Sequence, residues 1–508
     1  MYKLFIFCIL CLPCQAHEPT AAHTLMLYNS LDPKSIPEHL AFYQLYKDSD
    51  IGKRALNVAT ELLCCQNKLI SIDHLILNPS IVDTFISLVN KQSDQEKKLL
   101  TKEELATISE LSSHLPNRKL KGYNAKSEED VLKLPSEEVD LARGLFLSQF
   151  GNNEQSLQKM LNYEAMIDLM ALQILAKLPK DATVEAKIAC MNNLIFDEMG
   201  FRFPPHSLYA KDIDVYTFLP AVLDSRRGVC LGVSILYVCL AQRLDLTLEM
   251  VTPPGHIYVR CRNGNQIINI ETTARGINIE CEKYLTIDTR SLEQRNIKEV
   301  IGLAHYNLAS TFWHREDYQK TVVAYLKAKP YLENDMQLKE LLGFAYLLDN
   351  KKELGEKLLE EVKDYLPPHS VCKSLMAEEY LNGYVGMDGI RAFFKPVDEN
   401  RQSILEKKDA LQKALKEYPQ FSSGVFALSI TWLQLHRQRE ALEALEIYHR
   451  IDPLNPTAEY YMASLYMERY DYNKAWEHLT QTEKLVKERD HNPKILKDLR
   501  KQLFHLSP

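Results

Sequence analysis

Three residues of this chain are of types that together do acyl chemistry: Cys230, His256 and Glu271. Cys230 ends the basic, glycine-containing turn Ser225-Arg226-Arg227-Gly228-Val229 and opens an apolar run that reads as a helix to about Leu244. A thiol at a helix start faces unsatisfied N–H groups and the positive end of the helix dipole, and both favour the thiolate. A thiol nucleophile needs a base, and the base needs a group that orients it. His256, in Pro253-Pro254-Gly255-His256, begins an alternating strand and is the candidate base.

Glu271 enters through a hairpin. Arg262-Asn263-Gly264-Asn265 sits between two alternating runs, and Asn-Gly is a strong hairpin signal. With Asn263 and Gly264 as the loop, Cys261 pairs with Gln266, Val259 with Ile268, Ile257 with Ile270 and His256 with Glu271. Directly opposed residues share a face with Cβ atoms about 5 Å apart. Ile257, Val259, Ile268 and Ile270 then share an apolar face. His256, Tyr258, Arg260 and Glu271 share the other, where the cysteine helix is expected to lie. A one-residue bulge would undo the match.

Singly, each residue has an innocent reading: core packing for Cys230, a turn role for His256, solvation for Glu271. Their combination favours a site. Cys230 would attack a carbonyl carbon, His256 would take the thiol proton and later protonate the leaving group, and Glu271 would hold the imidazole. The Cys230 N–H is a candidate oxyanion donor, and Tyr216 and Asn193 are candidates for a second.

The elements that must position these residues follow in order. A basic Lys3, an apolar 4–12 and Cys14-Gln15-Ala16 read as a signal peptide over 1–16, with cleavage before His17. An exported protein, periplasmic or secreted, with no stable membrane span after cleavage is expected. Residues 17–134 read as an N-terminal helical region, with helices over 55–70, 75–89 and 99–111 and a charged linker or long loop over 117–130. Helices over 137–150, 162–178 and 183–199 precede the cysteine helix, and strands over 249–252, 256–262 and 266–271 follow it. Helices followed by a small antiparallel sheet make an α+β domain over 135–295.

From 296 to 508 the chain repeats. Ala309, Gly343 and Ala377 are 34 residues apart, as are Ser429 and Ala463, and each has an aromatic three positions later: Phe312, Tyr346, Tyr380, Trp432 and Tyr466. Proline falls near four repeat ends, at Pro330, Pro367, Pro419 and Pro453. This is the tetratricopeptide pattern of stacked helix pairs. The third repeat carries extra residues, placed at 383–400. Such an array implies a protein or peptide partner.

Composition bounds the rest. With 508 residues, 46% apolar and 25% charged, the chain has material for several cores. A net charge of −7 and the lack of a basic, aromatic-interleaved stripe argue against nucleic acid. Eight of the eleven cysteines follow the expected leader, but Cys64-Cys65 are adjacent and no spacing gives a disulfide framework. No CxxC or clustered His/Cys spacing suggests a metal, and no cofactor is expected.

Asn192-Asn193-Leu194-Ile195-Phe196-Asp197-Glu198-Met199-Gly200-Phe201, then Leu223 to Val229, Leu236-Tyr237, Leu240-Ala241, Pro254-Gly255-His256 and Val259-Arg260 together resemble the SirB-one family of transglutaminase-like proteins. The resemblance covers 136–508 and implies this domain order, a papain-like transglutaminase-like fold followed by tetratricopeptide repeats. The wider superfamily uses a Cys-His-Asp triad, and Cys230 and His256 match its first two positions. Many SirB-one-type proteins carry proline where this chain has Cys230, and Glu271 stands in place of the usual aspartate. Two functions compete. One is an exported thiol enzyme acting on an amide, by hydrolysis or acyl transfer. The other is a non-catalytic tetratricopeptide scaffold with a vestigial transglutaminase-like domain.

Overall fold

A computed structural model describes residues 20–64, 77, 79–90, 99–204, 213–398 and 400–507. The expected leader and Cys65 lie outside the described residues. The chain packs as two compact units. One takes residues 1–91 with 172–180, and the other takes 92–171 with 181–508.

The first unit contains the helices Ala21–Asn29, Ile36–Leu45, Asp50–Cys64 and Pro79–Asn90. Ser35 caps Ile36–Leu45 by accepting from the Glu38 N–H. Leu40, Ala55, Ala59 and Phe85 are fully buried and form its core.

The second unit holds both the α+β region and the repeats. Residues 117–130, expected as a linker, are instead built into the fold. They form the 3-10 turns Pro116–Lys119 and Lys121–Asn124 and begin the helix Glu128–Lys133. Asn117 is fully buried, and its side chain donates to Asp140 (2.8 Å). The helix Glu154–Lys177 turns Asp168 inward, where its carboxylate meets the guanidinium groups of Arg118 and of Arg243, the last residue of the cysteine helix. Buried charges persist only when paired and hydrogen-bonded, and this pair anchors the far end of that helix.

The cysteine helix spans Cys230–Arg243 and is buried along nearly its whole length. Its first turn fits against the preceding chain because residue 232 is glycine: a Cβ there would stand 2.1 Å from the Tyr216 carbonyl oxygen. The Val229 N–H donates to that same carbonyl (3.2 Å), so one backbone oxygen fixes the helix start.

Four antiparallel strands follow: β1 (Glu249–Thr252), β2 (Tyr258–Asn263), β3 (Gln266–Ile270) and β4 (Glu293–Arg295), in the order β3-β2-β1-β4. The charged three-residue edge strand β4 carries no alternation that a sequence reading could detect. The hairpin register differs from expectation by two residues: Asn263 pairs with Gln266, Cys261 with Ile268 and Val259 with Ile270. The loop is therefore Gly264-Asn265. Only Gly264 takes a positive φ (59°), the pattern of a turn that requires glycine at its first central position. A slip of two preserves which face each side chain occupies.

The repeats begin with the antiparallel pairs Ile297–His314/Tyr318–Ala328 and Met336–Leu348/Lys352–Val362. The last two are Ser422–Gln434/Gln438–Ile451 and Pro456–Glu468/Tyr472–Lys487, followed by a closing helix Lys494–Leu506. In the third repeat, residues 383–400 carry the short helix Met387–Phe393, and Arg401–Glu417 supplies the next long helix. Ala309, Ala377, Ser429 and Ala463 are at most 1% exposed, as close helix approach demands. A second periodic feature lies in the turns. Glu316, Asn350, His436 and Tyr470 all adopt left-handed backbone, with φ of 58–62°. The N–H after each donates to the carbonyl of the aromatic position, Phe312, Tyr346, Trp432 or Tyr466, at 2.8–3.0 Å. No helix among the described residues is long and apolar enough to cross a membrane.

The packing at Gly232 yields a direct test. Gly232→Ala is expected to lower stability by at least about 1–3 kcal/mol, the usual cost of overpacking, read as a shift of the urea unfolding midpoint. An unchanged midpoint would mean that the helix start has room to move.

Candidate functional site

The structure brings Cys230, His256 and Glu271 together. Cys230 stands at the N-terminus of its helix, where Val229 is the N-cap and supplies no side-chain cap to the first-turn N–H groups. The Thr272 hydroxyl lies 3.0 Å from the Ser234 hydroxyl and 3.5 Å from the Cys230 carbonyl oxygen, tying the helix start to the chain that leaves β3. Cys230 and Cys239 are free thiols.

His256 is not opposite Glu271 in a ladder, as the expected register had it. It lies just before β2, in a turn closed by its own N–H to the Pro253 carbonyl (3.0 Å) and made by Gly255 at φ +69°. With the observed register, Glu271 continues β3 one residue beyond the Val259–Ile270 pair and reaches His256 diagonally. The contact is short: His256 Nε2 to Glu271 Oε2 is 2.7 Å. That leaves Nδ1 as the ring nitrogen for Cys230, whose thiol interacts with the imidazole and favours its charged form.

The helix covers the other face of the sheet from the one expected. Its Tyr237 lies near Cys261, on the apolar face, while Tyr258 and Arg260 turn towards the segment around Cys281 and Tyr284. His256 still meets Cys230 because it stands outside the strand, where strict alternation no longer holds.

Glu271 is 4% exposed and fully hydrogen-bonded. Oε2 accepts from His256 and from the Tyr284 hydroxyl (2.5 Å), and Oε1 accepts from the Thr273 N–H (3.1 Å) and hydroxyl (2.6 Å). Burial works against its charge, but these donors prevail and hold its pKa down at about 2. Burial likewise opposes charge on His256. Its hydrogen bonds and charge interactions with Cys230 and Glu271 win there too, and its pKa is raised to about 10. The ring is therefore an imidazolium near neutral pH.

Tyr284 and Thr273 are site residues that the sequence reading missed. Tyr284 stacks on His256 (5.8 Å between centroids, 21°) and on Tyr258 (4.9 Å, 16°), and so holds the imidazole from its face as well as through Glu271. Its place in an irregular segment gives no periodic signal. The Glu-Thr-Thr string does carry one, since a carboxylate can cap the N–H two residues on. Neither expected second oxyanion donor is placed for that role. The Asn193 side chain donates to Glu198, and neither Asn193 nor Tyr216 lines the cavity at Cys230.

That cavity measures about 870 Å³. Cys230 and His256 lie on one side, and Tyr306, Asp335, Glu340 and Tyr365 of the repeat array on another. Burial raises the Glu340 carboxyl's pKa, against the hydrogen bond it accepts from Ser374 (2.7 Å). Among the described residues no group of three or more His, Cys, Asp or Glu side chains could hold a metal ion.

The two shifted groups predict a pH signature. Glu271, with a depressed folded pKa, adds stability above about pH 4.5 that is lost as pH falls towards 2. His256, with a raised folded pKa, adds stability below about pH 6.5 that is lost as pH rises towards 10. Glu271→Gln should therefore cost most between these limits, about 1–3 kcal/mol near pH 5.5, and less at pH 3 and pH 9. Urea unfolding at the three pH values measures this, and a cost independent of pH would contradict the assignment.

Comparison with known proteins comes to the same region. A family model described as the transglutaminase-like superfamily matches residues 161–295, a stretch that contains Cys230, His256 and Glu271. No curated protein matches the chain. Among solved structures, MamA 41-end from Desulfovibrio magneticus RS-1 is similar at 14% identity and a TM-score of 0.20, over 37% of this chain and 97% of that one. The TPR2AB domain of yeast Sti1 in its pHSP90 complex is similar at 14% identity and a TM-score of 0.21, over 41% of this chain and 86% of that one. Residues 161–295 are thus similar to the transglutaminase-like superfamily.

Proposed function

We propose that this chain is an exported thiol enzyme of SirB-one type, which opens an amide through Cys230 while its repeat array holds a protein or peptide partner. One observation carries the reading: a single imidazole interacts with Cys230 and is hydrogen-bonded to the buried Glu271 carboxylate, beside an open cavity.

The chemistry follows from the placement. The Cys230 sulfur attacks the amide carbonyl carbon, and the C=O electron pair moves onto oxygen. The uncapped first-turn N–H groups at Cys230 are the donors for that oxyanion. His256 gives its proton to the departing amine nitrogen, the C–N bond breaks, and a thioester remains on Cys230. Glu271 keeps the ring oriented and its charge stabilised throughout. Water or an amine then attacks the thioester, giving hydrolysis or acyl transfer. Because the repeat helices share the cavity with the thiol, a partner held by the array lies beside Cys230. This shared wall favours a working site over a scaffold with a vestigial domain.

Alkylation by iodoacetamide at pH 7, read by mass spectrometry of the Cys230 peptide, tests the reading. Cys230 should label faster in the folded chain than in urea, and His256→Ala should slow the folded rate by about tenfold, because an unassisted thiol is only a few per cent thiolate at pH 7. If Cys230 labels no faster folded than unfolded, the scaffold reading takes over.

A further inference from the structure

We propose that Cys281 is a second reactive thiol, separate from the Cys230 site, that is held as a thiolate in a pocket of hydrogen-bond donors and takes up oxidants. Cys281 opens the 3-10 turn Cys281–Tyr284 and is partly exposed. Three side chains from the hairpin converge on its sulfur: Arg260 Nη2 at 3.1 Å, Asn269 Nδ2 at 3.2 Å and the Tyr258 hydroxyl at 3.8 Å. It does not line the cavity at Cys230.

The second observation is the state of Arg260. Its side chain is carried into the interior with the residue 7% exposed, and among the described residues it makes no ion pair with a carboxylate. Its contacts are the Asn269 carbonyl oxygen (3.0 Å), the Tyr258 hydroxyl oxygen (2.6 Å) and the Cys281 sulfur. A guanidinium does not lose its proton in a protein, and a buried charge calls for a counter-charge. Two of the three contacts are ionisable. Burial pushes the Tyr258 phenol up to about 12, so it stays neutral near pH 7. The sulfur is the remaining group whose ionisation would offset the Arg260 charge. Burial opposes its charge, yet the Asn269 and Tyr258 hydrogen bonds and the Arg260 charge outweigh burial and lower the Cys281 pKa. The other titratable group facing it is Tyr284, which stays neutral because burial and Glu271 raise it.

A thiolate in this setting reacts with hydrogen peroxide. The sulfur attacks one peroxide oxygen, an S–O bond forms, and the O–O bond breaks. Sulfur gives up two electrons, the peroxide takes them, and the products are a sulfenate and water. The sulfenate oxygen inherits the Arg260 and Asn269 donors. The change would reach the first site through stacking, since Tyr258 lies against Tyr284, which donates to Glu271.

The test uses the full chain carrying Cys230→Ala, so that Cys281 is read without the other candidate thiol. Iodoacetamide labelling at pH 7 is followed peptide by peptide, folded and in urea. Cys281 should label about tenfold faster folded than unfolded, and brief hydrogen peroxide followed by dimedone should mark Cys281 before the buried Cys239 and Cys261. Arg260→Met should bring the folded rate down to the unfolded one. If that variant does not fold, the folded-to-unfolded ratio and the dimedone adduct decide by themselves. A Cys281 that labels no faster folded than unfolded and gains no dimedone adduct overturns the proposal.

Discussion

The site depends on keeping one carboxylate charged inside the protein. Glu271 is nearly sealed from water, and an ionised carboxylate there is tolerated only if its oxygens are satisfied. His256, Tyr284 and both donors of Thr273 meet that need. Much of the local architecture follows from it. The chain after β3 must turn sharply so that Thr273 can cap Glu271, and the Gly276 N–H closes that turn on the Glu271 carbonyl (2.8 Å). The segment that follows must return Tyr284 over the imidazole. Once Nε2 of His256 is committed to the carboxylate, only Nδ1 remains for the thiol, and the ring's orientation is set.

The thiol is placed by a separate set of constraints. Buried ion pairs at Asp168 hold one end of the cysteine helix, and the Tyr216 carbonyl holds the other against a glycine. The hydroxyls of Ser234 and Thr272 then lock this helix to the residue next to Glu271. Both partners of the imidazole are thus fixed through adjoining residues, so distortion of either the helix or the turn after β3 would separate them. Preorganisation of this kind is what a reacting pair requires.

The sequence made some of this legible and hid the rest for physical reasons. Alternation around Asn263-Gly264 located the hairpin and the face shared by Tyr258, Arg260 and Glu271, because a pleated strand has a strict period of two. It could not choose between loops Asn263-Gly264 and Gly264-Asn265, since both leave every side chain on the same face. The expected ladder pair of His256 with Glu271 is therefore not formed, yet the two side chains still meet because both registers keep Glu271 on the same face. The covering of the sheet was also beyond the pattern: both faces of β2 are buried, so polarity did not mark which one the helix would take. Tyr284 acts by stacking, and stacking has no sequence period. The 34-residue spacing survived because each repeat needs the same small residue where its helices approach. The left-handed turn residues Glu316, Asn350, His436 and Tyr470 share that spacing but no residue type, so only the backbone reveals them.

The central claim is that Cys230 and His256 form one coupled acid–base unit supported by Glu271. Its most direct measurement is the His256 imidazole titration by NMR, in the unaltered chain and in Cys230→Ala. The account predicts a pKa near 10 in the unaltered chain, and a clear fall on removing the sulfur that leaves the ring supported by Glu271 alone. Identical titration curves in the two proteins would show that thiol and imidazole do not act on one another, and would contradict the account.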